Sequence, residues 1–292
     1  MEHNSVMRPL RALEQQGVVL TVVQCSPLGE LAVDEVERAL TPRTRLIVAT
    51  HASNVVGTLL PIDELVHVAR RHNALLLVDA AQTAGAIPID LRQTPVDLLA
   101  FTGHKALFGP TGTGSLVVGP RVPLAEFSPL LQGGTGSMSE AEFQPDFLPD
   151  KYESGTPNVA GFAGLAAGVR WVRTRGVEAI RAHEQNLTAR LLSGLKNIAH
   201  VRVYGPDDPS RRLPVVLFNV EGQDPGLVAY RLDREYGIMC RPGLQCAPMA
   251  HKTLGTFPHG GVRFSLSVFN TRHHVDRALR AVAAIAGESD EE

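Results

Sequence analysis

Residues 75–105 read LLLVDAAQTAGAIPIDLRQTPVDLLAFTGHK, and the fold turns on this stretch. Four aliphatic residues, 75–78, run into Asp79, and a second apolar run, 98–101, leads into Thr102, His104 and Lys105. Short apolar runs without alternation are what strands look like when helices cover both faces of a parallel sheet. Working outward, the same reading gives strands at 18–24, 46–50 and 115–118. Helices fall between them: an early one with Pro9 in its first turn and Gly17 past its end, one over 33–40, and one over 62–71 opened by Pro61. The expectation is an α/β fold with a large, mostly parallel sheet. Ligands of such sheets collect at the carboxyl ends of the strands, which here carry His51, Asp79, Thr102, His104 and Lys105.

Residues 119–157 are rich in Gly, Pro, Ser and acidic residues and read as a long irregular segment, of a length that usually has a functional reason. A helical stretch interrupted at Gly176 follows, with Ile180, Leu187, Leu191 and Leu195 on one stripe. A change of domain is expected near Thr174, dividing a large domain, 1–173, from a smaller α+β domain, 174–292. The latter has strands expected near 215–220, 238–240 and 262–268, then a helix placing Val275, Leu279 and Val282 on the core, stopped by Gly287 before a solvated ESDEE tail.

The 292 residues suffice for a sizeable core, and 44% hydrophobic content, 20% charged content and a net charge of −2 leave no basic excess for nucleic acid or anionic lipid. No apolar run reaches the roughly 18 residues of a membrane span, and the first residues lack a signal peptide's apolar stretch, so the expected location is the cytoplasm. Three cysteines, an odd number without framework spacing, do not read as secreted disulfides or a zinc site. Cys25, ending VVLTVVQC, and Cys240, in IMCR, read as buried structural thiols, whereas Cys246 lies in RPGLQCAPMAH (241–251), expected to be neither helix nor strand, where a thiol is accessible.

The chain has only four lysines: Lys105, Lys151, Lys196 and Lys252. Lys105 sits in FTGHKALFGPTGTG (101–114), after a strand and before a glycine-rich turn where backbone amides, Thr102 and His104 could meet a phosphate; the alternative is a surface lysine. Lys196 reads as a solvated helix face. Asp79 at the end of an aliphatic strand calls for a cationic partner, such as a protonated pyridine nitrogen, with Gln82 in reach of that ring's phenolic oxygen; the alternative is a cap on a following helix. His51 and Asn54 open onto the same sheet edge. Arg263 alternates with Val262, Phe264 and Leu266, so it points away from the apolar face, either to clamp a carboxylate or simply to solvent.

Taken together, EHNS (2–5), HASNVVGT (51–58), VDAAQTAG (78–85), TGHK (102–105), GGTGS (133–137), YESGTPN (152–158), GLQCAP (243–248) and VRFSLSVFNT (262–271) resemble, in this order, the cysteine desulfurases of the class V aminotransferase group. The resemblance implies a fold-type-I large domain that binds pyridoxal 5'-phosphate at a homodimer interface and acts on L-cysteine or L-selenocysteine, passing sulfur to an acceptor protein in iron–sulfur cluster assembly. Carried over by motif, His3 is the ring-stacking histidine and proton carrier, Asp79 the partner of the pyridine nitrogen, and Asn54 and Gln82 the neighbours of the phenolic oxygen. Lys105 is the cofactor's lysine, Thr102 and His104 are phosphate ligands, and Thr156 reaches the phosphate of the neighbouring subunit. Cys246 is the persulfide-forming nucleophile, and Arg263, with Asn54, holds the substrate. The family carries a substantial segment before its EHxS motif, including part of the phosphate cup, while this sequence starts at Met1. The expectation is therefore an N-terminally truncated large domain: a fragment, a misplaced start, or a chain whose missing wall another chain supplies. Gln245 also departs from the family, where histidine commonly precedes the nucleophile. The alternatives to a desulfurase are a selenocysteine lyase, another class V reaction, and an inactive remnant.

Overall fold

The computed structural model describes residues 1–287; the ESDEE tail lies outside the described residues. The first sheet has the order β1-β2-β3-β4, formed by Leu46–Thr50, Leu75–Asp79, Leu98–Thr102 and Gly114–Val118. β1, β2 and β3 run parallel and β4 antiparallel, in a register that sets Thr50 beside Asp79 and Asp79 beside Ala100. The carboxyl ends of three strands therefore open side by side. α1 (Asn4–Gln15) precedes the sheet, and α2 (Val33–Ala39) and α3 (Ile62–Arg71) bury Val36, Ile62, Leu65, Val66 and Ala69 against Ile47, Leu76 and Val78. In α3, Asp63 and Glu64 in the first turn and Arg70 and Arg71 in the last complement the helix dipole.

α4 (Val159–Arg175) ends where Gly176 takes φ 83°, and α5 (Val177–Lys196) leads into the second, antiparallel sheet. That sheet has the order β5-β6-β7: Val201–Tyr204, Val215–Val220 and Val262–Ser265. α5, α6 (Pro225–Tyr236) and α8 (Arg272–Gly287) cover it, with Leu191, Leu195, Phe218, Leu232, Val282 and Ile285 at the centre. α7 (Pro248–Leu254) bridges the two parts: Ala247, Ala250 and Leu254 pack on Val55 and Val56 after β1 and on Leu217 of β6.

Several expectations fail for identifiable reasons. Residues 18–24 form no strand; among the described residues no ladder partner faces them, and residues 18–23 line an apolar cavity of about 530 Å³ that also receives Leu46, Ile47 and Val48. Pro9 lies inside α1 rather than in its first turn, because His3 caps the helix three residues earlier than Pro9 would require. Residues 238–240 make no strand; only Arg241 reaches β7, through a single bridge to Arg263. β7 stops at Ser265 because the next partner in register is Pro214, whose oxygen accepts the Leu266 N–H but which has no N–H to return. The later part of the Cys246 segment is helical, since Pro248 occupies the first turn of α7. Residues 119–157 contain β-free, helix-free backbone throughout, as expected.

Candidate active site

The site gathers at the carboxyl ends of β1, β2 and β3. β2 delivers Asp79, whose Oδ1 accepts the N–H of Ala81 at 2.8 Å. Turns rather than a helix follow, so Asp79 caps no helix, and its Oδ2 accepts no hydrogen bond among the described residues. β3 delivers Thr102, whose hydroxyl lies 3.1 Å from His104 Nδ1, and then Lys105. The half-buried Lys105 amine makes no hydrogen bond or ion pair among the described residues. Burial lowers its pKa, Asp79 opposes that shift, and the cation of Arg263 adds to it.

Two close approaches press this loop into place. A Cβ on Gly85, which has φ 88°, would stand 2.6 Å from the carbonyl oxygen of Ala106, so only glycine lets the turn after β2 meet the residue next to Lys105. From the other side, a Cβ on Gly168 of α4 would stand 2.2 Å from the Leu107 oxygen.

His3 arrives from the cap of α1. Its Nδ1 accepts from the Ser5 N–H at 3.0 Å and lies 2.9 Å from the Ser5 hydroxyl, which leaves the ring proton of the neutral imidazole on Nε2. Burial lowers its pKa, the Lys105 charge lowers it further, and Asp79 works the other way. His3, Lys105 and Asp79 thus share one electrostatic neighbourhood.

The second sheet brings Arg263. Its Nη1 donates to the Asn54 main-chain oxygen at 2.9 Å, its Nε is buried without a partner, and burial and the Arg241 cation lower its pKa while negative charge on Cys246 counteracts. The buried side chain of Asn54 donates Nδ2–H to the Gln245 carbonyl at 2.8 Å, and the Cys246 carbonyl accepts from Asn4 N–H at 2.8 Å. Cys246 is exposed, while Cys25 and Cys240 are half-buried, with burial raising the Cys25 thiol and taking Cys240 to about 11. Gln245 and Cys246 both have left-handed backbone, φ 43° and 60°, at a cost of roughly 1–2 kcal/mol each for non-glycine residues.

The structure therefore gathers His3, Asn54, Asp79, Thr102, His104, Lys105, Cys246 and Arg263 from two sheets and one helix cap, with Gln82 half-buried in the turn after β2. Thr156 is exposed, and no hydrogen bond ties it to this cluster. The other lysines are engaged elsewhere: Lys151 is buried on Leu124 O and Asp146, Lys196 pairs with Asp207, and Lys252 lies over the Phe257 ring. Sequence reading missed the roles of Gln245, His251 and Arg241. The spacing of Pro248, at a helix start, from His251 was the available signal.

Residues 1–278 match the class-V aminotransferase family. The chain belongs to that family. It is 36% identical over 290 residues to a probable cysteine desulfurase of Methanothermobacter thermautotrophicus, covering 98% of this chain and 72% of that one. It is likewise 36% identical over 292 residues to a cysteine desulfurase of Escherichia coli O157:H7, covering 98% and 69%. Among solved structures, the apo cysteine desulfurase of Thermococcus onnurineus NA1 superposes with a TM-score of 0.91 at 33% identity, over 98% of this chain and 71% of that one. The family member described here thus has the α/β architecture of fold-type-I pyridoxal-phosphate enzymes, and its relatives support a pyridoxal-phosphate-dependent reaction of the cysteine-desulfurase type. Among the described residues, no helix is long and apolar enough to cross a membrane.

The residues present fit that cofactor. An amine without a partner stands near a carboxylate with an oxygen to spare, and a hydroxyl and an exposed imidazole, Thr102 and His104, stand three residues and one residue before the amine.

Proposed function

We propose that this chain is a pyridoxal-phosphate-dependent cysteine desulfurase that converts L-cysteine to L-alanine and takes the sulfur on Cys246 as a persulfide. The observation that carries the reading is an exposed thiol, Cys246, in a turn held by hydrogen bonds from Asn4 and Asn54 and close to Arg263, whose charge also reaches Lys105. Lys105 would carry the cofactor, Asp79 would hold positive charge at its pyridine nitrogen, and Asn54 and Gln82 would attend its phenolic oxygen. Thr102 and His104 would bind its phosphate, with Thr156 reaching the phosphate of the partner subunit in a homodimer. When bound, the cofactor holds the amino acid's nitrogen and takes up the electrons released at its carbons.

Arg263 binds the substrate carboxylate through charge-assisted hydrogen bonds, with Asn54 beside it. Lys105 Nζ removes the Cα proton, a task helped by burial that favours the neutral amine. His3 exchanges a proton with the substrate thiol at Nε2, the ring nitrogen that Ser5 leaves free. Cys246 Sγ, as thiolate, attacks the substrate sulfur; the new sulfur–sulfur bond forms as the substrate's carbon–sulfur bond breaks, and protons returned to the carbon skeleton release alanine. The persulfide then passes to an acceptor protein, as in cytoplasmic iron–sulfur cluster assembly.

The test is mass spectrometry after incubation with cofactor and L-cysteine. The Cys246 peptide gains one sulfur, a reductant removes it, and Cys246→Ser prevents it. Sulfur found on Cys25 or Cys240 instead, or alanine formed at an undiminished rate by Cys246→Ser, overturns the reading.

A further inference from the structure

Two successive non-glycine residues in left-handed backbone need something to hold them there, and the holding device lies beneath the thiol. Gln245 is buried, and each end of its amide is engaged: Nε2 donates to Arg241 O at 3.1 Å and to Gly261 O at 3.0 Å, while Oε1 lies 2.8 Å from His251 Nε2. Because the Gln245 nitrogen is committed to two carbonyls, its oxygen must be an acceptor, and His251 Nε2 must carry the proton. His251 Nδ1 is then bare and accepts from the Thr256 hydroxyl, 2.7 Å away. The imidazole is fully buried, and burial lowers its pKa to about 4, so it stays neutral in this role.

The relay runs Thr256, His251, Gln245 and ends on the backbone of the residues flanking Arg263. Arg241 and Arg263 exchange main-chain hydrogen bonds at 2.9 and 3.2 Å, and Gly261 immediately precedes β7. Thus the same glutamine fixes the turn that presents Cys246 and the bridge that presents Arg263. The side chain next to the nucleophile, turned inward, is no proton carrier for the thiol.

We infer that Gln245 and His251 are positioning residues: their buried hydrogen-bond relay, anchored at Thr256, sets the Cys246 thiol at a fixed place beside Arg263 for sulfur transfer. This rests on the desulfurase reading for its functional meaning, but the placement of the thiol can be measured without turnover.

The experiment compares wild type with His251→Leu, which removes the donor to Gln245, His251→Gln, whose amide nitrogen can restore it, and Thr256→Val, a near-isosteric change at the far end that keeps the packing should His251→Leu fail to fold. The first readout is the rate at which iodoacetamide alkylates Cys246 at pH 7.5, followed by peptide mass spectrometry. His251→Leu and Thr256→Val are expected to slow it about three-fold or more as the sulfur drifts from the Arg263 cation, and His251→Gln to return it toward wild type. The second readout is steady-state kinetics with L-cysteine, where kcat falls about ten- to a hundred-fold with KM little changed, as misplacement of a reacting atom predicts. Alkylation rates that coincide across folded variants, or a His251→Gln protein as impaired as His251→Leu, overturn the inference. Should wild type form no persulfide at all, the desulfurase reading fails, while the alkylation rates still decide whether the relay places the thiol.

Discussion

The guanidinium of Arg263 donates to the main-chain oxygen of Asn54 across 2.9 Å, joining a strand of the second sheet to the loop that leaves the first. Asn54 in turn holds the Gln245 carbonyl with its side chain, so one residue grips both the arginine and the turn that carries the thiol.

Arg263 has a second guanidinium nitrogen and an unpartnered Nε for a carboxylate, a planar fork that lysine lacks. Arg263→Lys is expected to raise the KM for L-cysteine by about ten-fold or more, the equivalent of one lost charge-assisted hydrogen bond, with a smaller change in kcat. Steady-state kinetics checks it; an unchanged KM means the arginine binds only Asn54.

Asp79 raises the pKa of Lys105 against the lowering effect of burial. Asp79→Asn removes that support, so the Lys105 amine loses its proton at still lower pH. The pH profile of Lys105 acetylation, read peptide by peptide, should move toward acid in the variant. A profile that stays put would separate the two groups. In the cofactor-loaded protein, Lys105→Ala should lose the visible absorbance that depends on this amine.

Glu184 of α5 is buried, one of its oxygens has no partner, and burial raises its pKa from 4.5 to about 7, with Arg181 and the Val268 backbone opposing. A carboxyl whose folded pKa exceeds its unfolded value binds its proton more tightly in the folded chain, so stability falls as pH rises from about 4.5 to about 7. The full effect is about 3 kcal/mol. Glu184→Gln should therefore raise the urea midpoint clearly at pH 8 and much less at pH 5. Equal gains at both pH values would refute the assignment.

Gly85→Ala places a methyl group 2.6 Å from the Ala106 oxygen on a backbone with φ 88°. The variant should lose about 1–3 kcal/mol in chemical denaturation and show an altered Lys105 acetylation rate, because the loop next to the lysine must shift.

Much of this site was legible because its residues stand at the ends of strands whose composition betrays them. The runs before Asp79 and before Thr102 are apolar on both faces, and such runs can sit only inside a covered sheet. Residues 18–24 have the same composition and mislead for that reason: a strand requires a neighbour, and sequence composition carries no record of one. β5 went unread because four residues, VRVY, give too short an alternation to stand out. The support beneath Cys246 was hidden more deeply. Left-handed backbone is normally signalled by glycine or asparagine, and here it falls on glutamine and cysteine, held by a histidine six residues from Gln245 in the chain.

The unpaired stretch 18–24 and the outer edge of β1 give the protein two kinds of time. On that edge Thr50 N–H is covered by the Glu2 carboxylate at 2.7 Å, while Leu46 and Val48, which share its orientation by the two-residue alternation, meet only the apolar cavity. Amides of this kind trade hydrogen for deuterium by local fluctuation, within moments of a solvent change. Those of Leu76, held by the buried Asp97 carboxylate at 2.8 Å, and of Val78, in the strand between β1 and β3, surrender theirs only when the whole sheet comes apart. The molecule is thus fast along one margin and slow at its centre, and the boundary between the two runs along a single strand, β1, the same strand whose far end leads into Asn54.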